Sequence, residues 1–249
     1  MINEAENWPR IAKNRQKSAT LRAEMAVMGG RATQKRQYTA LERKEMVLNL
    51  HLAKECRMSD GGMPIVEPCN VSPIPLCWVG FNSCNTADKP QGKGVHFYVD
   101  DYQFERLWKS PALYLQRLRR FRCVISPDFS LYVDMPKPMK MWNVYRNRLM
   151  AAWWQGVGLE VIPNVSWADP ESYEYCFDGL PSRSVIAIGS MGANRHGLTR
   201  YLWLQGYRKA IDALNPTLVV RYGEKVPGED ERRSIYIDNM VTRRLHYGR

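Results

Sequence analysis

From residue 95 onward, short β-branched runs alternate with helix-length segments, and this alternation constrains the fold more than any other feature of the chain. The strand-like runs are VHFYV at 95–99, CVIS at 123–126, LEVIPNV at 159–165, SVIAIG at 184–189 and TLVVR at 217–221. Helix-length segments fill the gaps at 102–119, 138–156, 170–176 and 198–214. Gly156 and Gly158 end the second of these, and Asn215-Pro216 ends the fourth. The runs are nearly continuous in apolar character, as strands covered on both faces are. Such alternation predicts a parallel sheet with right-handed crossovers. These five strands, with one or two more from 64–81 and one at 235–237, approach a barrel. The expected fold is therefore α/β, a parallel sheet with alternating helices in a TIM-like or incomplete barrel, with an open sheet as the rival.

Ahead of this block the texture changes twice. Residues 1–60 read as a basic helical N-terminal region. Trp8-Pro9 can open a helix, because Pro fits the first turn, and Gly29-Gly30 breaks it. Thr39 and Glu42 have capping-box spacing, which predicts a second helix over 40–56. Residues 61–94 hold Pro64, Pro68, Pro73, Pro75 and Pro90 among five glycines, which excludes long helices and suggests a connecting segment. Residues 95–249 then form the α/β domain with a basic tail.

The 249 residues carry a formal net charge of +11, unevenly spread. Residues 1–60 hold 12 Lys/Arg against 7 Asp/Glu, and residues 231–249 hold 5 against 2. Basic chain ends suit a polyanion, nucleic acid most often; solubility alone is the plainer explanation. Lys13, Arg15, Lys17, Arg22, Arg31, Lys35 and Arg36 are the candidate phosphate contacts. No signal peptide or membrane-length apolar run is visible, so the expected setting is cytoplasmic, with no membrane partner.

On a parallel sheet the reactive groups sit just past each strand. Here those positions hold Asp100, Asp101, Asp128, Ser166, Trp167, Asp169, Ser190, Asn194, Arg195, Tyr222 and Glu224. The candidate catalytic set is Asp100, Asp101, Asp128, Arg146, Trp167, Tyr222 and Glu224. Several carboxylates on one rim suit a divalent cation or shared acid–base work. Capping of the following helices or turns explains any single Asp equally well. Asn143, Arg146 and Asn147 share a helix face. Asp101 and Asp128 follow consecutive strands and are expected to approach each other, with a cation or Arg146 offsetting the repulsion. Arg146 paired to Asp128 is the structural version of that expectation.

Cys56, Cys69, Cys77 and Cys84 lack the close pair of zinc ribbons and knuckles, so no metal ligand is assigned and buried thiols are expected. Cys123 and Cys176 sit in apolar surroundings and read as core. The four His are scattered, which argues against a His-based metal site or a Ser/His/Asp triad. The GSMGAN loop at 189–194 is neither a P-loop nor a dinucleotide fingerprint.

HFYVDDYQFERLW, VISPDFSLYVDMP, NVYRNRLMAAWWQ, VIPNVSWADPESYEYCFDGLP, VIAIGSMG and LVVRYGE follow one another in the order of a known family. Across these segments the chain resembles the domain of unknown function 4417 family, found mostly in phages, plasmids and other mobile elements. The resemblance carries over no activity. It implies a mobile-element context of replication, transfer or host conflict, and it places the strand-end residues within the shared segments. Three functions stay open: a nucleic-acid-associated protein with a strand-end site, a metal-dependent enzyme acting on a nucleotide or other small molecule, and a non-catalytic protein that binds a host or phage factor.

Overall fold

The computed structural model describes residues 39–69, 71–231 and 233–237. The expectations for the first 38 residues, including the basic contacts from Lys13 to Arg36, lie outside the described residues, as does the tail after 237. In chain order the elements are α1 (Ala40–Val47), α2 (Leu50–Ala53), β1 (Cys77–Gly80), β2 (Lys93–His96), α3 (Asp101–Lys109), α4 (Pro111–Leu118), β3 (Cys123–Ile125), α5 (Lys137–Gly156), β4 (Val161–Ile162), α6 (Tyr173–Cys176), β5 (Val185–Gly189), α7 (Gly197–Leu214), β6 (Leu218–Tyr222) and β7 (Ser234–Ile237).

All strand pairs are parallel, and neighbours in space are neighbours in sequence. β1 to β4 form one sheet and β5 to β7 a second. One bridge, Asn164 to Ala187, joins them. There the Val165 N–H donates to Ala187 O at 2.9 Å and the Ala187 N–H to Pro163 O at 2.8 Å. Among the described residues nothing pairs β7 back to β1, so the array is an incomplete barrel and the closed TIM-like form is not reached. The Pro/Gly-rich stretch 61–94 supplies β1, from the strand expected within 64–81.

Period-two alternation gives the curl an inside and an outside. Trp78, Tyr98, Cys123, Ile125, Ile162, Val185, Ala187, Val220, Tyr222 and Ile237 form one inner cluster drawn from both sheets. Their neighbours face the helices. Val95, Phe97, Val124 and Val161 pack with Phe104, Leu107, Leu115, Leu149 and Trp154. Ile186, Ile188 and Val219 pack with Tyr207, Ala210 and Leu214 of α7. Each buried large side chain contributes about 1.5–3 kcal/mol. No helix of the described residues is long and apolar enough to cross a membrane.

Local chemistry explains where helices differ from expectation. The Thr39–Glu42 capping box forms, with a 3.2 Å bond from the Glu42 N–H to Thr39 Oγ1. The expected 40–56 helix then breaks at Asn49, which is left-handed at φ 54°. Asn49 Nδ2 donates to Trp108 O at 2.8 Å, which pins the break to α3. The 102–119 segment splits at Ser110, because Pro111 cannot continue α3 but can open α4. The 170–176 segment begins as a 3-10 turn capped by Asp169, whose carboxylate also pairs with the buried Lys140.

Among the described residues one ion pair lies wholly inside. Arg221 on β6 points outward beneath α7, and its guanidinium donates to Glu229 Oε2 at 2.6 and 3.0 Å and to Ile188 O at 2.6 Å. Its Cζ lies 4.6 Å from the Trp203 ring centroid. Glu229 Oε1 accepts from the Tyr236 hydroxyl at 2.6 Å and the Val226 N–H at 3.1 Å. Removing one partner strands a buried charge, so Glu229→Ala should cost about 3–5 kcal/mol in urea unfolding. A loss below about 1 kcal/mol would contradict this account of the pair.

Candidate functional site

A cleft of about 500 Å³ opens at the carboxyl ends of β2 to β5, across the seam between the sheets. The exits of β2 and β3 contribute Asp100, Asp101 and Asp128, β4 contributes Ser166 and Trp167, and the loop after β5 contributes Met191 and Arg195. Tyr98 and Trp203 also line it.

Four of the expected residues therefore meet: Asp100, Asp101, Asp128 and Trp167. Three lie elsewhere. Arg146 does not pair with Asp128. It makes two 2.9 Å bonds to the Glu105 carboxylate and one of 2.6 Å to Asn143 Oδ1, with its Cζ 3.9 Å from the Phe129 ring centroid. Tyr222 faces the inner cluster, stacked on Tyr98 at 4.6 Å and tilted against His96 at 4.4 Å between ring centroids. Glu224 sits on the outer rim, where its backbone carbonyl accepts from the Ser190 hydroxyl at 2.6 Å.

The polar face of α5 shapes the β3 exit rather than reaching into the cleft. Asn143 Nδ2 donates to Ser130 O at 2.7 Å, and Asn147 Nδ2 donates to Pro127 O. Both strand-end carboxylates accept hydrogen bonds from neutral donors. Asp101 accepts from the Ser130 N–H at 3.1 Å and the Ser130 hydroxyl at 2.7 Å, one bond to each oxygen. Asp128 Oδ1 accepts from Asn164 Nδ2 at 2.7 Å. Asn164 Oδ1 in turn accepts from the Tyr98 hydroxyl at 2.8 Å.

Tyr98 and Asn164 were not legible as site residues. An Asn inside the apolar run LEVIPNV was the available signal, since a fully buried amide needs partners. Two glycines make room for the aromatic lining. A Cβ on Gly189 would lie 2.8 Å from the Tyr98 ring, and one on Gly206 would lie 2.1 Å from Trp167 Nε1.

Burial raises the Asp128 carboxyl to about 6, the Asn164 bond pulls it down, and the Asp101 charge pushes it up. Burial also lowers His96 in the inner cluster to about 4 and lifts the Cys69 and Cys123 thiols to about 11 and about 12. Cys69, Cys84, Cys123 and Cys176 are buried, whereas Cys56 is half-buried and Cys77, at the first position of β1, is exposed and departs from the expected burial. Among the described residues no group of three or more His, Cys, Asp or Glu is close enough to hold a metal.

Between the ordinary value of 3.8 and about 6, the folded chain keeps an Asp128 proton that the unfolded chain has released. Stability therefore falls as pH rises through that window, by at most about 3 kcal/mol. Asp128→Asn keeps the acceptor oxygen and removes the titration. It should unfold like the wild type near pH 4 and be the more stable of the two near pH 7, by up to about 3 kcal/mol in urea titrations. The opposite contribution of His96 is common to both proteins and cancels. A difference that does not grow with pH would contradict the raised carboxyl.

The cleft lies within a segment shared with other proteins. The family model for a domain of unknown function, DUF4417, matches residues 62–239. The "Gene 1 protein" of Mycobacterium phage L5 is 38% identical over 178 residues, 72% of this chain and 77% of that protein. The "Gene 1 protein" of Mycobacterium phage D29 is 41% identical over 132 residues, 53% of this chain and 49% of that protein, so the match spans about half its length. No solved structure matches. With the family model covering well over half of its length, every strand of the array included, the chain belongs to the DUF4417 family.

Proposed function

We propose that the strand-end cleft is an acid–base site acting on a small molecule, with Asp128 as the proton-transfer group. The observation that carries this reading is Asp128 itself: a carboxyl raised to about 6, held by Asn164 and open to the cleft. A group so tuned is mostly ionised at neutral pH and within about one unit of its midpoint, where proton transfer is efficient. Strongly perturbed carboxyls in clefts mark functional sites more often than elsewhere. Tyr98 and Asn164 orient Asp128, and Asp101 adds a second negative charge nearby. Ser166, Trp167 and Arg195 supply contacts. No step here depends on a divalent cation.

The test is consumption of compounds from a small-metabolite pool, followed by mass spectrometry. The full chain should deplete at least one compound with a rate midpoint near 6, and Asp128→Asn should not. No depletion by the wild type, or equal depletion by the variant, would show that the cleft serves a non-catalytic role such as binding a host or phage factor.

A second reading rests on charge. In this reading Lys13, Arg15, Lys17, Arg22, Arg31, Lys35 and Arg36 would hold the chain on nucleic acid. The supporting observation is the excess of 12 basic over 7 acidic residues in 1–60. Replacing all seven with Gln in the full chain should flatten the dependence of DNA affinity on salt, each lost phosphate contact removing about 0.9 from the logarithmic slope. Unchanged slopes would sink it.

A further inference from the structure

Strand order distributes charge across the cleft. The exits of β2 and β3 bring Asp100, Asp101 and Asp128 to one side, and the loop after β5 brings Arg195 to the other. The exit of β4 lies between them with Ser166 and Trp167. On the acidic side, acceptor capacity remains open. Among the described residues Asp100 receives a single long bond of 3.4 Å from Gln103, and Asp128 accepts only at Oδ1. On the other side Arg195 is exposed, and among the described residues its guanidinium has no carboxylate, carbonyl or ring partner. In the middle, Trp167 packs 5.8 Å from Trp203 between ring centroids and is backed by Gly206. The cleft is thus cationic at one end, aromatic in the middle and rich in acceptors at the other.

We infer that the cleft takes a nucleoside monophosphate, with its phosphate on Arg195, its base or sugar face on Trp167, and its hydroxyl and amino donors toward Asp100 and Asp128. The inference rests on reading the cleft as a ligand site and names the class of ligand. A guanidinium fork matches a phosphate through paired, charge-assisted bonds. Trp167 offers a flat apolar surface of the kind that bases stack on. Carboxylates accept from ribose hydroxyls and exocyclic amines but repel phosphate, which fixes the orientation. A volume of about 500 Å³ is within the range of small-ligand sites. An uncharged nucleoside would leave Arg195 unused, and inorganic phosphate alone would leave the acceptors and the indole unused.

The experiment is calorimetric titration of the full chain with adenosine monophosphate, adenosine, ribose phosphate and inorganic phosphate. Adenosine monophosphate should bind at least about tenfold more tightly than each of the others, as one charge-assisted contact would give. Arg195→Gln changes an exposed side chain and should fold normally. It should remove that advantage and leave adenosine binding unchanged. Three results would each overturn the inference: equal affinity for adenosine and its monophosphate, an Arg195→Gln variant that binds the monophosphate as the wild type does, and no binding of any of the four probes. Asp128-dependent consumption of an uncharged substrate would also overturn it and leave the acid–base reading standing. Phosphate-dependent binding by a chain that consumes nothing would do the reverse.

Discussion

Asn164 is the residue on which both the fold and the site depend. Its backbone forms the bridge between the four-stranded and three-stranded sheets. Its amide side chain joins the Tyr98 hydroxyl to the Asp128 carboxylate. Its own N–H donates to Ser126 Oγ at 2.8 Å, which ties the exit of β4 to that of β3. The side chain is fully buried, so each of these groups must find a protein partner or cost about 1–3 kcal/mol. One residue therefore sets the seam, the spacing of two strand exits and the environment of the tuned carboxyl.

That residue is supported from the helix layer. Arg148 on α5 is almost wholly buried and, among the described residues, has no carboxylate as a hydrogen-bond partner. It donates to Asn147 Oδ1 at 2.6 Å, Asn164 O at 3.4 Å, Asp178 O at 3.1 Å and the Cys176 carbonyl. Burial without an ion pair lowers its guanidinium to about 10, still charged at neutral pH. Its donors instead satisfy carbonyls at the exit of β4 and the end of α6. The arrangement beneath the cleft is a connected polar network inside an apolar shell, where losing one member exposes the others to an unmet bond. Preorganisation of this kind lets a carboxyl stay partly buried, ionisable and aimed at the cleft.

The alternation from residue 95 was legible because it depends on local pattern. β-branched runs and glycine or proline stops placed five strands and the long helices within a few residues of where they lie. The outline of the cleft was legible for the same reason: Asp100, Asp101, Asp128 and Trp167 follow their strands directly. What was hidden depends on contacts distant in sequence. Arg146 is drawn to Glu105 because α3 and α5 pack together, which the spacing of Asn143, Arg146 and Asn147 does not encode. Tyr222 belongs to the inner face because β6 ends with an inward position, and a one-residue change of phase would have sent it to the helices. Asn164 was concealed by an apolar run, and Asn49 by a helical one. In both cases the deciding bond, to Asp128 or to Trp108, spans tens of residues.

The account turns on the claim that burial at the sheet seam, moderated by Asn164, holds Asp128 far above an ordinary carboxylate. The direct measurement is an NMR titration of the Asp128 carboxyl carbon in the intact chain. The account predicts a midpoint near 6. A midpoint near the ordinary 3.8 would contradict it.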